Sequence, residues 1–206
     1  EILRVWEPAE YFVVVGYANK VDVEVNVEKC RAKGIPILRR CSGGGTVVQG
    51  PGCLNYSLVL NFSNNDLLQT ITQANRFIME RQRQSLKNLA NADITVEGHT
   101  DLAIAGIKFS GNAQRRKKNY LLFHGAFLLE FKIPLIEELL KMPSKQPDYR
   151  ENRSHEKFLT NLHCPVEELK QALRREWNAS EKLESIPYLP KQLWEKYSRE
   201  DWNFKF

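Results

Sequence analysis

Cysteine is sparse. Cys30, Cys41, Cys53 and Cys164 lie far apart in 206 residues and form no Cys-x-x-Cys pair. That spacing argues against a zinc site and against a dense disulfide framework, and makes free thiols the default. No apolar run approaches the roughly 18 residues a membrane helix needs. No signal-peptide pattern opens the chain, and no internal repeat or low-complexity segment interrupts it. Neither sign of charge dominates: 30 basic residues face 25 acidic ones, for a net charge of +5. Such a balance suits ATP or an acidic protein partner without demanding nucleic acid. These absences predict a soluble, cytoplasmic protein with no membrane or nucleic-acid role. The chain begins without methionine, directly in a strand-like run, which leaves organelle targeting open.

What is present suffices for one sizeable core. Hydrophobic residues make up 42% of the chain, with ten phenylalanines and four tryptophans, which predicts a single domain over residues 1–206. Ile2 to Trp6 alternates enough for a strand, and Tyr11 to Tyr17 is continuously apolar and β-branched, as a buried central strand is. A short charged helix over Val25 to Lys33 ends at Gly34, and a strand starts at Pro36. Leu54 to Asn61 reads as a strand. A long helix follows, capped by Asn64 or Asn65 and carrying Leu67, Ile71, Ala74, Ile78, Leu86 and Leu89 at helical spacing. Short strands are expected at Asp93 to Glu97, Asp101 to Ala105 and Ile107 to Phe109, and a strong one at Tyr120 to Phe131. Helices over Leu135 to Lys141 and Val166 to Trp177 flank a polar stretch from Ser144 to Lys157. The class is α+β, a mixed, mainly antiparallel sheet flanked by helices.

Two stretches carry chemistry. In Arg39-Arg40-Cys41-Ser42-Gly43-Gly44-Gly45-Thr46, consecutive glycines sit between the apolar pairs Ile37-Leu38 and Val47-Val48. Glycine weakens strands and is kept where something must come very close. Backbone N–H groups can converge there on an anion, with Arg39 and Arg40 adding fixed positive charge. Taken alone, the stretch reads equally well as a glycine-rich hairpin beside two surface arginines. The second stretch decides between them: Ala105-Gly106-Ile107-Lys108-Phe109-Ser110-Gly111-Asn112-Ala113-Gln114-Arg115-Arg116 sets one lysine between apolar neighbours, with a Ser-Gly turn expected to follow at once. A lysine so placed can act as a point charge on phosphate.

Together the two stretches resemble lipoate-protein ligase A and its relatives in the biotin and lipoate ligase superfamily. The family pattern is Arg-Arg-x-Ser-Gly-Gly-Gly, then Gly-x-Lys-x-Ser-Gly-x-Ala-x-Arg, then a His-Gly strand, here Phe123-His124-Gly125-Ala126-Phe127. The segment Lys196 to Phe204 resembles the one that closes the family's large catalytic domain. The resemblance implies a class II biotin/lipoate ligase-like fold and two half-reactions at one site. In the first, lipoate attacks the α-phosphorus of ATP to give lipoyl-AMP; in the second, an acceptor lysine attacks the acyl carbonyl. It implies Lys108 as the principal catalytic cation. Arg40, Ser42, Gly43, Gly44, Gly45, Thr46, Val47, Val48, Ser110 and Gly111 are implied to bind ATP and lipoate, and Asp101 to hold magnesium. His124 is expected to pack or hydrogen-bond, and the run Arg115-Arg116-Lys117-Lys118 to form a basic loop that docks an acidic acceptor. Implied partners are lipoyl domains of 2-oxoacid dehydrogenase complexes or the glycine cleavage H protein, and no tightly bound prosthetic group is expected.

Departures from the pattern keep rivals open. Gln49-Gly50 stands where a common family form has His-Asp, and Pro51-Gly52-Cys53 replaces Leu-Gly-Asn. The chain stops at Phe206, where two-domain ligases add a small domain, so a separate accessory protein is an expected partner. The rival enzyme is an ATP-independent octanoyl or lipoyl transferase working through a cysteine thioester. One such branch carries its cysteine shortly before the lysine strand, and Gly98 to Ile104 contains none. A lipoate-binding subunit without turnover is the rival from outside enzymology. Biotin ligase motifs are missing.

Overall fold

The computed structural model describes residues 1–90, 92–184 and 190–206. The first part runs β1 (Ile2–Trp6), β2 (Phe12–Val15), α1 (Val21–Glu24), α2 (Val27–Ala32), β3 (Ile37–Arg39), β4 (Val47–Gln49) and β5 (Cys53–Asn61). After α3 (Ile71–Leu86) come β6 (Ile94–Glu97), β7 (Asp101–Ile104), β8 (Ile107–Lys117) and β9 (Tyr120–Leu128). The rest is helical: α4 (Ile133–Leu139), α5 (His155–Phe158), α6 (Val166–Glu176), α7 (Lys191–Ser198) and α8 (Glu200–Asn203). Among the described residues no helix is long and apolar enough to cross a membrane.

The strands form an antiparallel sheet in the order β1-β5-β9-β8-β7-β6 and a small sheet β3-β2-β4. In the small sheet β2 is central, parallel to β3 and antiparallel to β4, as its β-branched run predicts. The large sheet packs one face on helices. Register pairs Leu54 with Phe127, Tyr56 with Gly125, Leu58 with Phe123 and Leu60 with Leu121. These side chains meet Ala74, Ile78, Met79 and Leu86 of α3 and Leu169 and Leu173 of α6. Truncating one ring of such a cluster costs about 3–5 kcal/mol. The small sheet builds a second core with α2 and α4, through Val13, Val15, Cys30, Ile37, Val48, Leu135, Ile136 and Leu139. Cys53 joins that second core from the large sheet, so the two layers meet at the start of β5.

Three expectations change. The helix predicted from Asn64 onward is split: Asn65 caps one 3-10 turn over Asp66–Leu68, and Thr70 starts α3 with a full capping box to Gln73. A Thr-x-x-Gln box satisfies two orphan N–H donors at once and so fixes the true start. The short strand ending at Phe109 instead continues through Ser110 and Gly111 to Lys117, because β7 and β9 pair with it from both sides. Residues 115–117 are therefore strand and not a basic loop, and only Lys118 and Asn119 turn the chain.

Candidate active site

The glycine stretch is not a hairpin. β3 and β4 each pair with β2 and not with one another, so residues 40–46 form a loop across the end of β2. Arg40 organises it from inside. Its guanidinium donates to the carbonyls of Gly43 at 2.6 Å and Gly45 at 2.7 Å, and to Val14 at 3.3 Å, while Asn19 donates to Gly44 O at 3.2 Å. With those carbonyls turned inward, peptide planarity turns the following N–H groups of Gly44, Gly45 and Thr46 outward. Among the described residues the N–H groups of Gly43, Gly44 and Gly45 find no protein acceptor, and all three glycines are exposed. Exposed, unpartnered N–H groups grouped in this way can act as a backbone nest for an anion. Gly44 has φ +91, a backbone that other residues rarely adopt, and Arg40 Nη2 lies 3.0 Å from where its Cβ would stand. Burial pulls the Arg40 pKa down to about 10, so it remains cationic at neutral pH.

Arg39 does not serve there. It is 3% exposed and points away from the nest, donating to the carbonyls of Gly16, Tyr17 and Asn19 and of Trp202 and Asn203. It ties the C-terminal helix α8 to β3, a structural task that its neighbourhood to Arg40 conceals in the sequence. Val48 likewise belongs to the core by its side chain, while Thr46 and Val47 are half-buried at the loop's exit.

Lys108 reaches the same face of the large sheet through a β-bulge. Asp101 pairs with Gly111 and Leu102 with Ser110, but Ala103 pairs with Lys108, leaving Phe109 as an extra residue. The extra residue resets the alternation of sides. Lys108 thereby shares a face with Gly111 and Ala113, and both Phe109 and Ser110 go into the core. Lys108 Nζ pairs with Asp101 Oδ1 at 2.8 Å, and Tyr149 donates its hydroxyl to Asp101 Oδ2 at 2.7 Å. The lysine lies across Gly111: a Cβ there would stand 2.8 Å from Nζ. Two residues along the strand, Ala113 Cβ lies 3.6 Å from the position a Cβ on Gly44 would take. Gly111 beneath the lysine and Ala113 against the loop are one strand repeat, about 7 Å, apart. Nest, Arg40 and Lys108 form one cationic trough floored by small residues, able to hold a phosphate and an adjoining acyl group. Ser110, like Val48, turns away from the trough, for its hydroxyl faces the core and accepts from Asn112 Nδ2 at 3.4 Å.

Magnesium at Asp101 is expected alongside a substrate's phosphates, and without them Asp101 is paired within the protein. Both carboxylate oxygens are engaged by protein donors, and no group of three or more His, Cys, Asp or Glu that could hold an ion occurs among the described residues. Asp101 is the counter-ion of Lys108. Magnesium has a place here only with the phosphates of a bound nucleotide.

Several contributors carried no clear sequence signal. Gly16 ends β2 directly under the loop, where a Cβ would run into the carbonyl oxygen of Gly44; a glycine closing a β-branched run was the available hint. Asn112 accepts from Tyr56 and donates to Thr100 O at 2.6 Å, and Gly125 leaves room for it. Arg115 reaches the Cys41 carbonyl and so closes the loop onto β8, whereas Arg116 donates to Leu68 O and lies over the Phe62 ring at 4.1 Å. Arg116 is a half-buried tie within the fold, whereas Arg115 is exposed as well as bonded to the loop.

His124 hydrogen-bonds Ser42 Oγ at 2.6 Å, pinning the loop to β9. Burial, reinforced by the Arg40 charge, pulls its pKa from 6.5 down to about 4. The unfolded chain therefore binds a proton below pH 6.5 that the folded chain refuses until about pH 4, so this contribution to stability is present above 6.5 and lost as pH falls through that window. Thermal melts should show Tm falling from pH 6.5 to 4, and less steeply in His124→Asn. An equal slope in the variant would contradict the assignment.

The profile of the lipoyl protein ligase A/B catalytic domain matches residues 1–184. Octanoyltransferase LipM of Clostridioides difficile is 26% identical over 97% of this chain and 84% of its own. Lipoate-protein ligase A subunit 1 of Thermoplasma acidophilum is 26% identical over 93% of this chain and 80% of its own. Among solved structures, the bipartite lipoate protein ligase of Thermoplasma acidophilum superposes with a TM-score of 0.82 at 25% identity, covering 98% of this chain and 83% of that one. A lipoate-protein ligase A bound with ATP has the same fold, with a TM-score of 0.80 at 24% identity over 98% of this chain and 85% of that one.

Proposed function

The chain belongs to the lipoyl protein ligase A/B catalytic domain family, an acyl-transfer family whose groups are lipoyl and octanoyl, and on that premise we propose that it is an ATP-dependent lipoate-protein ligase. The observation that carries this reading is the trough itself: an outward-facing backbone nest against Ala113, one strand repeat from the Gly111 that Lys108 lies across, able to hold an anion adjoining an acyl carbonyl. In the first step a lipoate carboxylate oxygen bonds to the α-phosphorus of ATP and the bond to pyrophosphate breaks. In the second, the amine of an acceptor lysine bonds to the acyl carbon, the bond to AMP breaks and the amine loses a proton. Both steps gather negative charge on oxygen, which the nest and Lys108 stabilise without reorganising. Magnesium enters with ATP as part of the co-substrate. Acceptor lipoyl domains, and a separate accessory protein like the second part of the bipartite relative, are the partners this reading assigns.

The second reading, an octanoyl transferase, is favoured by the likeness to LipM. It needs a reactive thiolate. Cys30, Cys53 and Cys164 are buried, and burial pushes the Cys53 thiol up to about 12 and that of Cys164 to about 11. Cys41, half-buried in the glycine loop, is the one of the four cysteines that is not buried.

Mass spectrometry of an apo lipoyl domain incubated with this chain separates the two. Lipoate with magnesium and ATP should add one lipoyl group, and preformed lipoyl-AMP should do so without ATP. Transfer from octanoyl carrier protein alone, lost in Cys41→Ser, would replace the ligase by the transferase. Silence with every donor, lipoyl-AMP included, would leave a binding protein.

A further inference from the structure

Residues 146–160 cross the hairpin of β7 and β8 at three points. Arg153 Nη2 donates to Gly106 O at 3.0 Å at the turn, Thr160 N to Lys108 O at 2.9 Å, and Tyr149 to Asp101 Oδ2. Tyr149 lies in the 3-10 turn Asp148–Arg150, and Glu151 and Asn152 then reverse the chain in left-handed backbone. Its own carbonyl accepts from Arg153 at 2.6 Å, its ring sits 5.1 Å from that of Phe158, and Gly98 gives the ring room on the other side. The half-buried ring is thus held between these neighbours. Burial and the negative charge of Asp101 push its phenol pKa up, so it is a proton donor throughout the working range.

A carboxylate held at one oxygen rotates broadly about its last torsion. Held at both, it is fixed. We propose that Tyr149 is a positioning residue for Lys108: it locks Asp101 so that the free oxygen of the carboxylate keeps the ammonium over Gly111, one strand repeat from the Ala113 that meets the loop. Tyr149 acts only through Asp101, which stands between it and the lysine. This assignment rests on the ligase reading for what Lys108 does, but the lock is a matter of geometry alone.

The test therefore includes a readout that needs no substrate. Brief acylation of the ligand-free protein with an amine-reactive ester, read by peptide mass spectrometry against exposed Lys117, measures how firmly Lys108 is held. Tyr149→Phe keeps the ring and its packing and removes one hydrogen bond. It should raise Lys108 acylation about two- to tenfold, the worth of such a bond. In an Asp101→Asn background the same change should add nothing, because coupled residues are not additive. Turnover should lose kcat with KM for lipoate unchanged. Unaltered acylation, or an equal effect in both backgrounds, would overturn the proposal. A chain inactive with every donor whose acylation still follows this cycle would sink the ligase reading and leave the lock standing.

Discussion

Lys108→Ala is expected to lower lipoyl-AMP formation about 100- to 1,000-fold while the thermal melt stays close to that of the parent chain. The separation of the two effects follows from where the side chain lies. Its pair with Asp101 is partly exposed, at 24% and 14% of the side chains, and pairs of that kind stabilise by about 1 kcal/mol or less. The strand beneath is held by ladders on both sides, which alanine leaves intact. The reaction, in contrast, would lose the one cation the bulge presents to developing phosphate and carbonyl charge. Gly111→Ala checks that position matters as much as charge. The added methyl would stand 2.8 Å from Nζ and 2.9 Å from Cε of Lys108, and the flexible lysine, not the backbone, must give way. A displacement of this size should cost about tenfold or more. Full activity in Lys108→Ala would remove the lysine from the mechanism, and full activity in Gly111→Ala would remove its placement.

The sequence made β2 legible through its β-branched run and β5 and β9 through their long apolar runs, which have few alternatives. The site was legible where a motif has one geometry, as in the glycines before Val47 and the lysine of β8. It was misleading where a local signal competes with pairing. Ser110 and Gly111 read as a turn, yet the neighbouring strands override that preference and pair both, with the bulge falling just before them at Phe109. Arg39 and Arg40 are adjacent and chemically identical, and strand alternation sends one into the fold and the other into the loop. Tyr149 left no trace at all, since its place depends on a polar stretch meeting β7 some 48 residues away in sequence.

Gly16→Ala is the other substitution with a large expected effect, and it lies outside every motif. Gly16 has no left-handed φ, so alanine is acceptable to its own backbone and the damage is purely steric. The new methyl would collide with the Gly44 carbonyl oxygen and stand 3.3 Å from Arg40 Nη2. A backbone carbonyl cannot rotate away as a side-chain tip can. The loop must lift, which pulls Gly44 from Asn19 and weakens the grip of Arg40, the contacts that turn the N–H groups outward. Binding of ATP should weaken about 100-fold, the scale on which lost preorganised donors are felt, with Tm lowered by only a few degrees because both cores lie elsewhere. Gly43→Ala is the counterpart, for its Cβ meets nothing within 4 Å and its φ is ordinary. It should leave the fold untouched, so any loss of ATP binding there reports how closely the ligand approaches the nest. Calorimetric titration of both variants with MgATP decides the matter. Unchanged affinity in Gly16→Ala would mean that the loop over β2 is not where the nucleotide sits.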